Sequence, residues 1–361
     1  MKGPMWIRIC EWISVVLLGT GCDATIHEYP AVQQSKVIVE VNVDRLPPLY
    51  YKELQYDAEG NHTEKLMQPV YSAPYSISED FEMRLVIELY RVSASSVDVN
   101  NGMLNARREE LVNRLMEPPQ DTLHFYVDDG VYKVLAWADY VMEGNTDDWH
   151  FDTKALHSVR VNVEHKPEIN HQKNSAAGVT GFSVDFSQSE QGYPMLAGET
   201  RNVQESRVVP VDMKRTTGRF RLYSTDVQEF LKSGYRLEDL WIQVIYKQYV
   251  SVGYNVDLQE PNEFVPTRTM ETRPGRVAED GTLMLCYDYV LTSNNKEDHV
   301  LIDVVAYDAS TRKVINYYQD IDIPLFRNQE TVLYGPFLTR KVGSGVGIDD
   351  RFEGEHIVEI D

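Results

Sequence analysis

The chain has 361 residues, with 35 Lys plus Arg against 56 Asp plus Glu, a formal net charge of -21. So acidic a balance excludes a partner held through a basic footprint, nucleic acid above all. At 42% hydrophobic and 25% charged residues the composition is ordinary for a globular protein, neither disordered nor polytopic, and the length suits roughly two domains.

At the N-terminus Lys2 and Arg8 make a weakly basic start, Trp12 to Leu18 a short apolar core, and Gly19-Thr20-Gly21 a run of small residues before Cys22. This is the pattern of a bacterial lipoprotein signal. Small side chains let a signal peptidase close on the backbone, and the Cys22 thiol takes the lipid before cleavage. Leu18 lies one place further from the cysteine than is usual, and Glu11 precedes the apolar core. The alternatives are a signal peptide cut elsewhere and a membrane-spanning helix, which needs about 20 apolar residues, far more than the run supplies. On the lipoprotein reading residues 1–21 are signal and residues 22–34 a tether held by acyl chains. Cys10 is then discarded and Cys22 acylated, leaving Cys286 without a disulfide partner. In Thr282-Leu-Met-Leu-Cys-Tyr-Asp-Tyr-Val-Leu291, Cys286 reads as a small buried strand residue rather than a nucleophile.

Alternation of apolar and polar residues predicts strands at 36–43, 81–92, 122–127 and 131–138, the last two joined by Asp128-Asp129-Gly130 in a hairpin. Arg107 to Met116 reads as a helix, with Leu111, Leu115 and Met116 on one face, Asn105 as cap and Pro118-Pro119 as stop. Residues 141–205 carry little regular pattern beyond strand-like 157–163 and 182–186. Strand signals then crowd together at 207–213, 218–223, 239–246, 283–291, 300–307, 314–318, 329–334 and 355–360, with a short helix at 227–232. Short strands separated by turns indicate sandwiches rather than a βαβ sheet.

Catalytic and metal signatures are absent from the sequence. Gly343-Ser-Gly345-Val-Gly347 lacks the basic residue and following helix of a phosphate cradle, and there is no Gly-x-Ser-x-Gly or His-Glu-x-x-His. His150, His157, His165 and His171 share one region, but their spacing matches no ligand set. Asp147-Asp148, Asp320 with Asp322, and Asp349-Asp350 lack the alternating oxygen ligands of a calcium loop and read as solvated surface. The 22 Tyr and five Trp serve either as sandwich core or as stacking platforms for sugars.

Four stretches carry a family resemblance: Cys22-Asp-Ala-Thr-Ile-His-Glu-Tyr-Pro30, Tyr132-Lys-Val-Leu-Ala-Trp-Ala-Asp139, Val209-Pro-Val-Asp-Met-Lys-Arg-Thr-Thr-Gly-Arg-Phe220, and the closing segment from Val332 to Ile360. Together they resemble the uncharacterised surface lipoproteins of Bacteroides and its relatives that are grouped with fimbrillin-like and fimbrial-anchor proteins. The resemblance implies two transthyretin-like Greek-key β-sandwich domains in tandem; with the residue pattern, which puts the boundary near residue 205, the chain is expected to be all-β, with domains at 35–205 and 206–361 and one or two short helices. It implies a non-enzymatic, cell-surface lipoprotein of the outer membrane, anchored through Cys22, without cofactor or metal, that serves as anchor, tip or accessory subunit of a fimbria-like assembly. Its partners would be fimbrial subunits docked by strand or edge. Stalk subunits of that type lose a first strand after an arginine and insert a C-terminal extension into the next subunit. Arg45 occupies such a position, or else is only a strand exit before Pro47-Pro48. Asp361 directly follows the last expected strand, which favours an anchor, a tip or an unassembled lipoprotein over a stalk subunit. The alternative function is a glycan-binding surface lipoprotein that stacks Trp137, Trp149 and Trp241 on sugars.

Overall fold

Strand β1 (Gln34–Val43) shows how the sequence dictates the architecture. Its alternation puts Val37, Val39 and Val41 on one face, and these are 0%, 0% and 1% exposed. Each such burial is worth about 1.5–3 kcal/mol against the exposed side chain. The computed structural model describes residues 34–44, 46–72, 81–96, 98–112, 122–144, 150–162, 173–186 and 203–339.

A seven-stranded sheet runs in the order β5 (Met103–Val112), β4 (Phe81–Val92), β7 (Gly130–Met142), β10 (Ala176–Val184), β11 (Val203–Arg215), β1, β6 (Thr122–Val127). It folds over at its middle, where β10 and β11 share only the pairs Ala176–Arg215 and Ala177–Lys214. Gly178 permits this close crossing, since a Cβ there would lie 2.8 Å from the Asp212 carbonyl oxygen. The two arms enclose one core, with Val37, Val39, Val41, Leu123 and Phe125 on one side and Met83, Leu85, Ile87, Val134 and Ala136 on the other. β1 lies parallel to β11 and antiparallel to β6.

The outer face of β4 and β7 is covered as well. A four-stranded sheet of β8 (Phe151–Asp152), β9 (Val159–Val161), β14 (Val250–Asn255) and β15 (Glu260–Val265) packs there, burying Val86, Leu135 and Trp137 against Phe151, Val159 and Tyr254. The remaining strands enclose a second sandwich. One of its sheets is ordered β17 (Leu283–Leu291), β12 (Thr217–Ser224), β20 (Gln329–Gly335), β2 (Leu49–Tyr56), β3 (His62–Leu66). The other is β16 (Arg268–Thr272), β13 (Leu240–Tyr246), β18 (Asp298–Asp308), β19 (Val314–Leu325). Their core includes Leu54, Phe220, Ile242, Ile302 and Leu333, sealed by Val227 and Phe230 of the short helix α1 (Val227–Lys232). Strands from early and late sequence therefore interleave, as β2 and β3 join the sheet of β12, β17 and β20.

The fold is all-β, with α1 the one α-helix among the described residues. The helix expected at 107–116 is corrected: residues 103–112 are the edge strand β5, in register with β4 from Met83–Val112 to Arg91–Met103. The charged run that looks helical locally is drawn into the sheet by buried charges on its neighbour. Arg107 pairs with Glu88, and Glu109 lies 3.5 Å from Arg84. Tertiary partners here override intrinsic propensity.

Candidate docking edge and tether strand

Among the described residues eight strands lie at sheet edges, and seven contain a charged residue or a proline, the usual protection against edge-to-edge pairing. The exception among the described residues is β6, Thr122-Leu-His-Phe-Tyr-Val127. Leu123, Phe125 and Val127 point into the core at 2–3% exposed, while His124 is exposed and Tyr126 half-buried on the outer face. β1 pairs with one side of β6 from Ser35–Val127 to Glu40–Thr122, and no described strand pairs with the other. Arg108 on β5 reaches across the open end of the sandwich, its guanidinium 5.9 Å from the Phe125 ring.

The edge is held rigid at its turn. Tyr132 Oη donates to the Asp128 carbonyl at 2.9 Å, Arg91 Nη2 to the Asp129 carbonyl at 2.6 Å, and the Phe186 amide to Asp129 Oδ1 at 2.8 Å. Gln34, the first residue of β1, donates to Asp128 Oδ1 at 3.3 Å. With its turn pinned in this way and β1 paired along one side, β6 offers a row of backbone groups that can receive an added strand.

At its other end β1 leads into a crossover gripped by Arg215, which is 2% exposed. Arg215 Nε donates to Asn174 Oδ1 at 2.7 Å, Nη1 to Asn328 Oδ1, and Nη2 to the Leu46 carbonyl at 2.8 Å. Asn328 in turn donates to Asp44 Oδ2 at 3.3 Å. Arg327 closes the junction by donating to the carbonyls of Arg215 and Lys214 at 2.6 and 3.2 Å. One guanidinium thus ties the β1–β2 crossover, the start of β10 and the β19–β20 turn together.

Lys173, Asp288 and Tyr246 form a second buried polar cluster, paired within the fold. Lys173 Nζ sits 2.6 Å from Asp288 Oδ1, and Tyr246 Oη donates to Asp288 Oδ2 at 2.6 Å. Burial pulls the Lys173 ammonium below its usual range despite Asp288, and burial with the adjacent carboxylate pushes Tyr246 well up. The Cys286 thiol is free, 3% exposed and driven upward by burial and then by Asp288, as suits a core residue.

Cys22, Trp149, His165, His171, Asp147-Asp148, the 343–347 glycines, Asp349-Asp350 and the 355–360 strand lie outside the described residues, as does Arg45 itself. Trp137 is fully buried, its ring 5.1 Å from Phe151 and 6.0 Å from Tyr254. Trp241 is half-buried, with the Arg273 guanidinium 5.1 Å over its ring. His150 is 2% exposed, and His157 Nδ1 lies 3.3 Å from Tyr90 Oη. Asp320 and Asp322 lie on the exposed face of β19. Among the described residues no group of three or more His, Cys, Asp or Glu could hold a metal ion. Arg215 escaped sequence reading because nothing in Met-Lys-Arg-Thr-Thr marks which basic residue turns inward. The uncharged character of β6 was legible, but not its place at an edge.

Among solved structures, a candidate adhesin from Bacteroides ovatus is similar at 14% identity and a TM-score of 0.40, covering 79% of this chain and 78% of its own. A candidate polysaccharide-binding protein from Bacteroides thetaiotaomicron gives 12% and 0.40, with 79% and 80% covered. The fimbrial anchor protein Mfa2 from Porphyromonas gingivalis gives 12% and 0.38, with 79% and 82% covered. No curated protein matches. Over residues 52–361 the sequence fits the profile of a family of unknown function, DUF6562, and the chain belongs to that family.

Proposed function

We propose that this protein is a non-enzymatic lipoprotein of the outer-membrane surface, tethered through Cys22, whose β6 edge receives a partner strand. It would act as anchor, tip or accessory subunit of a fimbria-like assembly. Two transthyretin-like sandwiches belong to the same proposal, their sequence boundary near residue 205 being crossed by β2 and β3, which join the second, and by β14 and β15, which pack on the first. The observation that carries the reading is the uncharged, proline-free edge of β6, pinned at its turn, in a chain whose other described edges are all protected.

Whole cells carrying a photo-crosslinking amino acid at Tyr126 test the docking. A discrete adduct whose crosslinked peptide is an extended segment of a surface subunit supports it, and loss of that adduct on His124→Lys locates it on the edge. Absence of any adduct, with the protein still released from membranes by Cys22→Ala, removes the docking and keeps the tether. Binding to immobilised polysaccharide that survives His124→Lys and fails on Trp241→Ala would move the reading to glycan recognition. A native chain beginning at Leu46 would show that cleavage after Arg45 removes β1 and opens a groove between β11 and β6.

A further inference from the structure

We infer that β1 is the strand through which pull between membrane and partner passes, and that its pairing sets it in shear. This rests on the proposed tether at Cys22. The pull of a lipid there enters the described fold at Gln34, the first residue of β1, so its component along the strand loads β1 lengthwise. β1 is a central strand, not an edge. It is bound to β11 over ten residue pairs, from Gln34–Val203 to Val43–Met213, and to β6 over six. A lengthwise pull must break these rungs together, whereas a sideways pull breaks them one after another. The fully buried Val37, Val39 and Val41 add to the shear resistance, because sliding β1 by one residue would turn all three toward solvent.

Two further placements fit this use. β6, the docking edge, is the direct neighbour of β1, so tension from a docked strand crosses a single ladder to the tether and bypasses the second sandwich. The far end of β1 is held at Leu46 by Arg215 and at Asp44 by Asn328, which keeps the strand from being drawn out past Val43.

The test uses the mature chain without lipid, pulled by optical tweezers through DNA handles on Cys22 and one added cysteine. Cys286 is 3% exposed and does not compete for the handles. Asp128→Cys puts the second handle beside Gln34, so β1 unzips. Glu143→Cys puts it beyond the opposite end of β7, toward the Val43 end of β1, so β1 is sheared. Met83, Ala138 and Tyr140 line one small cavity with Val43 and Asp44, which fixes that relation. The expected result is an unfolding force severalfold higher for the Glu143 handle than for the Asp128 handle. Equal forces overturn the inference. Membrane release by Cys22→Ala is read separately, so failure of the tether and failure of the shear geometry are distinguishable.

Discussion

Arg84 on β4 and Asp139 on β7 stand directly opposite one another and form a two-bond ion pair, Nε to Oδ1 at 2.9 Å and Nη2 to Oδ2 at 2.7 Å, in a layer covered on both faces. The side chains are 1% and 2% exposed. Their attraction only offsets the cost of taking both charges out of water, so the pair is worth far less than the loss of one member. Asp139→Asn should therefore destabilise the protein by about 3–5 kcal/mol, while Arg84→Met with Asp139→Leu costs less than either single change. Urea unfolding of the three variants checks this, and a double variant as unstable as the singles would refute it.

Trp137 joins the outer face of β7 to the β14 sheet. Trp137→Ala should cost about 3–5 kcal/mol, with Trp137→Phe much closer to the native protein. Because Tyr254 and Phe151 lose their packing partner, amide exchange at Val252 and Tyr254 should speed up more than at Ile242 or Leu333 in the second sandwich. Uniform acceleration across both cores would show that the contact does not bridge them locally.

Most strands were legible because the alternation of apolar and polar residues survives in the sequence, on β1 and β6 with one face solvated and on β4 even though both faces are buried. Residues 81–92, 122–127 and 283–291 coincide with β4, β6 and β17, and the short helix at 227–232 coincides with α1. What hid β5 was its partner. Arg84 and Glu88 are inward charges on β4, so the complementary Arg107 and Glu109 read as a solvated helix face until both strands are seen together. β2 and β3 were missed for another reason. All five residues of β3 are exposed, and Tyr50-Tyr51-Lys52 gives no clean alternation beside the adjacent β20. The docking edge depends on strand order, which local pattern does not encode, and Arg215 matters through four segments distant in sequence.

His299 lies between two carboxylates, Nδ1 3.0 Å from Asp322 Oδ1 and Nε2 3.2 Å from Glu297 Oε1. Partial burial pulls its pKa down, but Asp322 and then Glu297 outweigh that and raise it above the ordinary 6.5. A raised folded pKa gives stability that is fully present below the unfolded value and is lost as pH rises through the folded one. Stability from this group should therefore decline slightly as pH climbs above 6.5, and salt should weaken the effect, since the ring is 48% exposed. NMR titration should place the His299 midpoint above 6.5, with Asp322→Asn moving it down. A midpoint unmoved by that substitution would sink the assignment.

The Arg215 clamp makes a last prediction about the crossover between the two sandwiches. Asp44 and Leu46 flank Arg45, and both are held, Leu46 by Arg215 and Asp44 by Asn328 and by the hydrogen bond its own N–H donates to the Met213 carbonyl. An arginine-specific protease needs several residues in extended form, so cutting after Arg45 requires the clamp to open first. Arg215→Met keeps the side-chain bulk but removes the donor shared by the Asn174, Asn328 and Leu46 oxygens, at about 1–3 kcal/mol for each lost bond whose acceptor stays buried. Much of that loss should be local to the crossover. In timed digestion with trypsin, the fragment beginning at Leu46 should then form faster in Arg215→Met than in a control such as Trp137→Phe, compared at matched global stability. N-terminal sequencing identifies the cut. Equal rates at matched stability would mean that the crossover opens only with the whole fold and that Arg215 contributes to general stability alone.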